Sequence, residues 1–386
     1  MKRRNIQRYL FFFTIHVGLL LILSGCWSSR PIEDLNFIVG SALDKEKNEK
    51  IRSTIQYALP ESIGKEKNSG TAKPYINVTE ISDSIEQGGW ETTLKREGYI
   101  FGEHRKVIII SDSCVREMDL NQLMDLFYRH ATTRESTSVF IARGSASKLF
   151  DLKEPGVVPS LRIAEIANQQ LTTRIIKPST ITNILEKTTA GSSFLLQQIT
   201  LDNGDVKFDG AAIIKGKTHT MVGSFNKKEL EGINWLTGEI KRGSLKFNDN
   251  KLQNPIAYEV ESIRSTIQPK VEHGNISFNV NIESEGKITE YWNPFKKNTF
   301  NNENIKKIEK KAEKEVQHLV RSTINKMQKE YQVDVTGFGN QLRIKYPKVW
   351  EKVKEDWDQK FSEVTIKYAV KITIKDYGMF GSKQSN

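Results

Sequence analysis

The chain has 386 residues, of which 37% are hydrophobic and 27% charged, with a formal net charge of +11. This length allows about two or three domains with their own cores, and the hydrophobic content excludes a disordered chain. The 2 cysteines exclude a disulfide scaffold, a thiolate zinc cluster and an iron–sulfur site. Four positive charges fall in the first ten residues, and the remaining +7 over this length does not indicate nucleic-acid binding.

The first 26 residues have the pattern of an export signal. Lys2, Arg3, Arg4 and Arg8 precede an apolar stretch of 14 residues, from Leu10 to Leu23. A helix needs about 20 residues to cross the hydrocarbon core of a bilayer, so this stretch is too short to span it. It ends in Leu23-Ser24-Gly25-Cys26, which resembles the bacterial lipobox that the lipoprotein signal peptidase cleaves before the cysteine.

The sequence therefore predicts a signal peptide over residues 1–25 and a mature chain that begins at Cys26. Cys26 would carry S-diacylglycerol and an N-terminal acyl group, which would hold the body outside the cytoplasmic membrane. Burial of acyl chains is worth ~0.8 kcal/mol per methylene, and two chains make attachment stable. The alternative is a short uncleaved anchor in which Cys26 is incidental.

Cys114 is then the only free thiol of the mature chain, so no internal disulfide can form. It follows an apolar run at 107–110 and is expected to be a small core residue. The alternative is a catalytic cysteine, which would need a histidine partner, and His104 is the nearest in sequence.

In the N-terminal half, hydrophobic periodicity predicts alternating strands and helices. In chain order these are strands at 37–43 and 51–59, a loop at 64–73, a helix at 82–97 capped by Ser82, a strand at 107–110, a helix at 120–130, a strand at 138–142, and helices at 146–150 and 160–175. This alternation indicates sheets backed by helices.

A second unit is predicted to begin near residue 200. Its elements are a hairpin at 211–214 and 218–222, strands at 258–267 and 276–282, a helix of about thirty residues from 302, a helix carrying Trp350, Val353, Trp357 and Phe361, and a strand at 364–374. The thirty-residue helix is amphipathic and would be about 45 Å long at 1.5 Å per residue.

The predicted fold class is mixed α/β or α+β. We expect about three small domains, each a mixed or antiparallel sheet backed by helices, with the long amphipathic helix near the C-terminus. The predicted boundaries are 26–199 for an N-terminal α/β domain, 200–268 for a β-rich middle domain, 269–376 for a C-terminal α/β domain and 377–386 for a disordered tail.

Motifs of enzymatic chemistry are missing from the sequence. There is no GxSxG, HExxH, Walker loop, GxGxxG or acidic calcium loop. The serine-acylase spacing SxxK occurs at Ser62, Ser145 and Ser224, which is what chance gives, and neither KTG nor SDN accompanies it. We therefore predict no catalytic residue, no metal ligand, no cofactor and no nucleic-acid partner.

Two groups of residues leave alternatives open. Lysines crowd the start of the long helix and alternate with glutamates, which is typical of a solvated face, although they could also lean on anionic lipid: Lys306, Lys307, Lys310, Lys311 and Lys314. Tryptophans of the second unit are expected in core or inter-domain packing, with a ligand cage as the alternative: Trp235, Trp292, Trp350 and Trp357.

Blocks of residues spread in order along the mature chain carry a resemblance to a known family. They are Cys26-Trp27 with a following strand that ends in Leu43-Asp44; residues 51–60 (IRSTIQYALP); Gly102, His104 and Lys106 to Ile110; Phe208 to Ala212 with Gly223 and Glu231 to Gly238; and Asp334 to Gly339 with Pro347, Trp350, Trp357 and Phe361. Together they resemble the Ger(x)C family, the lipoprotein C subunits of bacterial spore nutrient germinant receptors. His130 after Arg129 departs from the acidic residue usual there.

This resemblance implies a non-catalytic, lipid-anchored subunit that is required for germination in response to nutrients. It implies partners: an A subunit with soluble and membrane parts and a B subunit resembling amino-acid transporters. The implied location is the outer face of the spore inner membrane. The alternatives are a lipoprotein solute-binding protein of a membrane transporter, which would need two similar lobes around a cleft, and an anchored envelope hydrolase, which the missing motifs disfavour.

Overall fold

A computed structural model describes residues 6, 11–14, 35–59, 73–95, 98–130, 133–152, 154–169, 175–239, 242–249, 254–292 and 302–377. The predicted signal-peptide cleavage site, Cys26, nearly all of the predicted loop at 64–73 and the tail beyond Tyr377 lie outside these residues.

The strands of the described chain are β1 Leu35–Lys45, β2 Ile51–Ala58, β3 Tyr75–Ser82, β4 Tyr99–Phe101, β5 Val107–Ser111, β6 Ser138–Ala142, β7 Ser179–Thr180, β8 Phe194–Asp202, β9 Asp205–Ile214, β10 Met221–Phe225, β11 Gly243–Asp249, β12 Asn254–Glu272, β13 Asn275–Tyr291 and β14 Thr365–Asp376. The α-helices are α1 Ile85–Thr93, α2 Asp112–Glu117, α3 Leu120–Arg129, α4 Pro159–Gln169, α5 Ile181–Thr189, α6 Lys227–Thr237, α7 Asn302–Asn325, α8 Phe338–Lys345, α9 Pro347–Val353 and α10 Trp357–Phe361.

A 10-stranded mixed sheet occupies the N-terminal part of the molecule. Its strand order is β10-β9-β8-β6-β5-β1-β2-β3, with β4 beside β1 and β7 beside β6. Successive residues of β5 face opposite sides: Ile108 and Ile110 pack with α3 and α5, whereas Val107 and Ile109 pack with α4. Helices therefore cover both faces of the sheet, which explains why β5 is buried throughout.

A 4-stranded sheet, ordered β11-β12-β13-β14, forms the C-terminal part. The hairpin of β12 and β13 turns at His273 and Gly274, whose φ angles are 49° and 80°, as a tight two-residue hairpin requires. Alternating residues of β13 from Ile276 to Ile288 are buried, so this sheet has one core face. The strand β14 runs parallel to β13, because the chain between them crosses over through α7 to α10.

The long helix lies on the core face of the 4-stranded sheet. The α-helix α7 ends at Asn325 and continues as a π-helical segment, Lys326–Tyr331, so the helical stretch covers residues 302–331. Its apolar stripe, including Ala312, Val316 and Val320, is buried in the same core as β12 to β14. The predicted long amphipathic helix is thus confirmed in place and length.

Two helices differ from their predicted extents. The helix predicted at 82–97 begins only at Ile85, because Ser82 is the last residue of β3 and Ser84 caps the helix by accepting from the amide of Gln87. The predicted helix around Trp350 is divided into α9 and α10 by a short 3₁₀ turn at Lys354–Asp356.

The predicted fold class, mixed α/β with sheets backed by helices, is confirmed. The division into domains at 200 and 268 stays a prediction. In the structure, β8 crosses residue 200 and β12 crosses residue 268. The apolar core of α6, α7 and the 4-stranded sheet also includes Leu195 and Ile213 of the large sheet, so the two sheets share packing.

Candidate functional site

The predicted lipidation residue, Cys26, lies outside the described residues, but the place where its chain enters the fold is defined. The strand β1 begins at Leu35, eight residues after Trp27, the residue that follows Cys26. A parallel partner, β4, runs beside it with Tyr99 opposite Leu35. Among the described residues, no helix is both long enough and apolar enough to cross a membrane.

The other cysteine, Cys114, is fully buried in the N-terminal core, where sequence reasoning placed it. Its thiol lies 3.8 Å from the carbonyl oxygen of Leu43, and burial raises the pKa of the thiol to about 11. His104 instead packs its ring against Phe37 and Phe101, at centroid distances of 5.4 and 5.3 Å. The described contacts of Cys114 thus offer no activating base.

We expect the native protein to resist thiol reagents. At pH 7.5 no thiol of the folded, acylated protein in detergent should react with an aromatic disulfide reagent, and one thiol per chain should react after unfolding in guanidinium. The reason is that a pKa of about 11 leaves little thiolate at Cys114 and that burial blocks access to it. Rapid labelling of the folded protein would contradict a buried structural Cys114. A second thiol after unfolding would show Cys26 unmodified.

The tryptophans divide by burial. Trp235 and Trp357 are buried, Trp350 is half-buried against Trp357 with ring centroids 5.6 Å apart, and Trp292 is 61% exposed. Core packing, as expected from the sequence, therefore describes Trp235, Trp350 and Trp357. Trp292 lies at the end of β13 and does not belong to a cage with the others.

A buried carboxylate organises the turn before α8. Asp334 accepts hydrogen bonds from the amides of Gly337 (3.0 Å) and Gly339 (2.6 Å), and from the indole nitrogen of Trp357 (2.8 Å). A carboxylate that receives several N–H donors satisfies a helix N-terminus and holds the surrounding loop. The Asp334–Gly339 block that carries the family resemblance is therefore a hydrogen-bonded turn that stabilises the C-terminal core.

A half-buried carboxylate joins the two sheets. Asp358 accepts from the hydroxyl of Ser193 (2.5 Å) and from the amide of Asp334 (3.0 Å), and Ser193 in turn accepts from the amide of Gly216 (2.9 Å). Burial raises the pKa of Asp358, while the bond from Ser193 opposes that shift. Ser193 precedes β8 of the large sheet, so this chain of bonds fixes α10 against it.

The glutamates of α7 cover the open edge of the 4-stranded sheet. Glu309 accepts from the amide of Ile374 (2.8 Å) and Glu313 from the amide of Ile372 (3.2 Å) of β14. These bonds satisfy edge amides that could otherwise pair with another strand. The lysines of α7 differ in exposure and pairing. Lys306, Lys310 and Lys314 are exposed, Lys311 is half-buried, and Lys307 pairs with Glu303.

Glycines of the resemblance blocks sit where backbones or rings approach closely. A Cβ on Gly232 would lie 2.1 Å from the hydroxyl of Thr323 and 2.7 Å from the carbonyl oxygen of Leu319, at the contact of α6 with α7. A Cβ on Gly223 would lie 2.1 Å from the ring of Tyr331. These two glycines therefore specify close packing between elements of the core.

We expect Gly232→Ala to lower the free energy of unfolding by about 1–3 kcal/mol, because the added methyl group overlaps α7. The matched control is Gly89→Ala in α1, where a Cβ would meet nothing within 4 Å. That variant should be neutral or up to ~1 kcal/mol more stable, since alanine favours a helix over glycine. Urea unfolding of both variants measures the difference, and equal midpoints would contradict the close α6–α7 contact.

Metal-binding and catalytic clusters were not expected from the sequence. Within the described ranges, no group of three or more His, Cys, Asp or Glu side chains is placed to hold a metal ion.

An open groove of about 370 Å³ lies on one side of the large sheet, between α1, β4 and α3. Its walls are mainly apolar: Ile38, Ile55, Trp90, Tyr99, Ile100 and Phe127. Sequence reasoning missed this groove, since its walls come from segments far apart in the chain. The only sequence signal is a tryptophan at position 90 among the polar residues of α1.

Arg105 is the cation at the wall of this groove. Its Nη1 donates to the hydroxyl of Thr133 (3.1 Å), and its guanidinium carbon lies 5.1 Å from the ring centroid of Phe127. Its Nε is buried without a hydrogen-bond partner in the described part of the chain, as is the hydroxyl of Ser53. Burial lowers the pKa of Arg105 to about 10, so the side chain stays charged at neutral pH.

Comparison with known proteins covers almost the whole chain. Residues 28–201 match the family described as "Spore germination protein N-terminal domain", and residues 209–378 match "Spore germination B3/ GerAC like, C-terminal". The chain is 36% identical to spore germination protein YndF of Bacillus subtilis over 97% of its length and 98% of that protein. The chain belongs to the Ger(x)C family.

Other Ger(x)C proteins support the same relationship. Spore germination proteins B3 and A3 of Bacillus subtilis are 29% and 32% identical to this chain, over 96% and 94% of its length. The crystal structure of the GerBC protein superposes with a TM-score of 0.63 at 26% identity, covering 89% of this chain and all of that one. The family predicted from the residue blocks is therefore confirmed, and so is its fold.

Proposed function

We propose that this chain is the lipid-anchored, non-catalytic C subunit of a spore nutrient germinant receptor. The observation that carries the proposal is the match to spore germination proteins over nearly the full length, with both family domains in order. The motif Leu23-Ser24-Gly25-Cys26 directs the attachment of the anchor. The anchor is a diacylglycerol thioether and an acylated amine on Cys26, at the outer face of the spore inner membrane.

The fold favours a docking body. The buried carboxylate of Asp334 and the half-buried carboxylate of Asp358 are used in structural hydrogen bonds, and the buried thiol of Cys114 has no described base beside it. Its strands β8 to β10 join the same sheet as β1 to β6. A solute-binding protein would need two similar lobes hinged around a ligand cleft, and this continuous sheet does not divide that way.

We also propose that the chain has two rigid units, one built on each sheet, because strands β8 and β12 run through the seams expected from the sequence at residues 200 and 268. The role of these units is to present surfaces to the A and B subunits of the receptor, which are membrane proteins. Each sheet would act as a rigid body because its core is packed on helices.

Affinity purification from spore membranes tests the proposed partners. A tag placed after Tyr377, beyond β14, leaves both sheets intact. From detergent-solubilised inner membrane, the tagged chain should bring down two integral membrane proteins, one of them resembling amino-acid transporters. Recovery of the chain alone, or with the permease and ATPase of a transporter, would contradict the receptor-subunit proposal.

A further inference from the structure

One end of the large sheet carries an exposed apolar surface, which we call the apolar rim: Trp90, Leu94, Tyr99 and Ile100. Trp90 is 66% exposed, Leu94 79%, Tyr99 52% and Ile100 37%. Trp90, Tyr99 and Ile100 form the mouth of the groove, and Leu94 lies one helical turn after Trp90. Contiguous apolar side chains with this exposure mark surfaces that contact a partner or a membrane.

The rim lies where the chain arrives from Cys26. The strands β1 and β4 are parallel, with Leu35 opposite Tyr99 and Asn36 opposite Ile100, so both strands begin at the same end of the sheet. Eight residues, 27–34, separate Cys26 from Leu35. A fully extended chain of this length spans at most about 30 Å, so an acylated Cys26 would hold the rim within that distance of the bilayer.

The chemistry of the rim suits a membrane interface. Tryptophan and tyrosine combine an apolar ring with a polar group, and both concentrate where hydrocarbon meets headgroups. Among the described residues of α1, the charges do not favour anionic lipid, because this helix carries Glu86 and Glu91 and no basic residue. Lys95, which follows Leu94, is paired with Glu80 at 2.5 Å.

We propose that the apolar rim inserts into the outer surface of the bilayer beside the acyl anchor. The body would then rest on the membrane with the starts of β1 and β4 facing the lipid. Two weak attachments on one body reinforce each other, which is why lipidated proteins commonly need a second signal. Insertion through apolar rings makes this contact independent of anionic lipid and of salt. The inference rests on the proposed acylation of Cys26.

The test uses the full, acylated chain reconstituted into neutral phosphatidylcholine vesicles. Single cysteines at the rim, Trp90→Cys and Tyr99→Cys, are labelled with an environment-sensitive fluorophore. Cys114 does not interfere, because it is buried and burial raises the pKa of its thiol to about 11. The matched control is Ile344→Cys on α8, an apolar residue that is 62% exposed and far from the rim in sequence.

The fluorescence emission of labels at 90 and 99 should shift to the blue and be quenched severalfold by nitroxide-labelled lipid. Neither the shift nor the quenching should change in 1 M salt. The label at 344 should keep its emission in water. The inference would be overturned if chains that float with the vesicles carry rim labels whose emission remains that of a label in water. It would also be overturned by rim labels that become protected only when the receptor's membrane subunits are added, because the rim would then be a protein interface.

The same samples separate this inference from the proposed function. Flotation and the mass of the N-terminal peptide report whether the chain is acylated at Cys26. A chain that lacks acyl groups and does not float contradicts both the anchor and the rim contact. A chain that is acylated and floats while its rim labels remain in water contradicts the rim contact alone.

Discussion

Replacement of Trp357 by alanine should lower the free energy of unfolding by about 3–5 kcal/mol, the usual cost of removing a buried aromatic side chain. Trp357 is 7% exposed, and its ring packs on Phe278 and Phe361 at centroid distances of 6.2 and 6.1 Å. Its indole nitrogen also donates to Asp334, so the variant removes one donor from a buried carboxylate.

The control for this prediction is Trp292→Ala, which deletes the same side chain from an exposed position and should change stability by less than about 0.5 kcal/mol. Trp350→Ala should fall between the two, because Trp350 is half-buried against Trp357. Chemical denaturation of all three variants gives the order. A Trp357→Ala midpoint equal to that of the unchanged protein would remove Trp357 from the core and make it a candidate contact residue.

Replacement of Cys26 by alanine should abolish acylation and reduce nutrient germination through this receptor to near the rate of spores lacking the gene. Without the thiol no diacylglycerol can attach, and the lipoprotein peptidase has no modified cysteine before which to cleave. The body would then lose the anchor that holds it beside its partners, which lowers its effective concentration at the membrane.

The other cysteine supplies the matched control. Cys114→Ala removes a buried thiol and should leave acylation and nutrient response in place, with a modest loss of stability. Optical density loss of spores after nutrient addition, with both variants produced at equal levels, measures the response. A normal response from Cys26→Ala spores would contradict a function that depends on the anchor.

Long periodic segments of this chain were predictable from sequence. Six apolar residues of the last strand alternate with four polar residues and Ala369, and the apolar stripe of α7 recurs at steps of three and four, so each pattern specifies one secondary structure. The helix α6 was missed because the residues from Leu230 to Leu236 are all buried, Glu231 and Asn234 included, so its polar residues do not mark an exposed face.

Features built from distant segments could not be predicted. The parallel pairing of β14 with β13 depends on the crossover through α7, and the bonds from Glu309 and Glu313 to β14 depend on that packing. The apolar rim combines α1 with β4, and only the three-dimensional pairing of β4 with β1 places it near the arriving N-terminal segment. By contrast, the family was predictable, because its blocks follow one another along the sequence.

Mass spectrometry of the N-terminal peptide from spore inner membranes tests the account most directly. We predict a peptide that begins at Cys26 and carries a diacylglycerol thioether and an acylated amine. A chain that begins at Met1, or an unmodified cysteine at position 26, would contradict the proposal of a lipid-anchored receptor subunit.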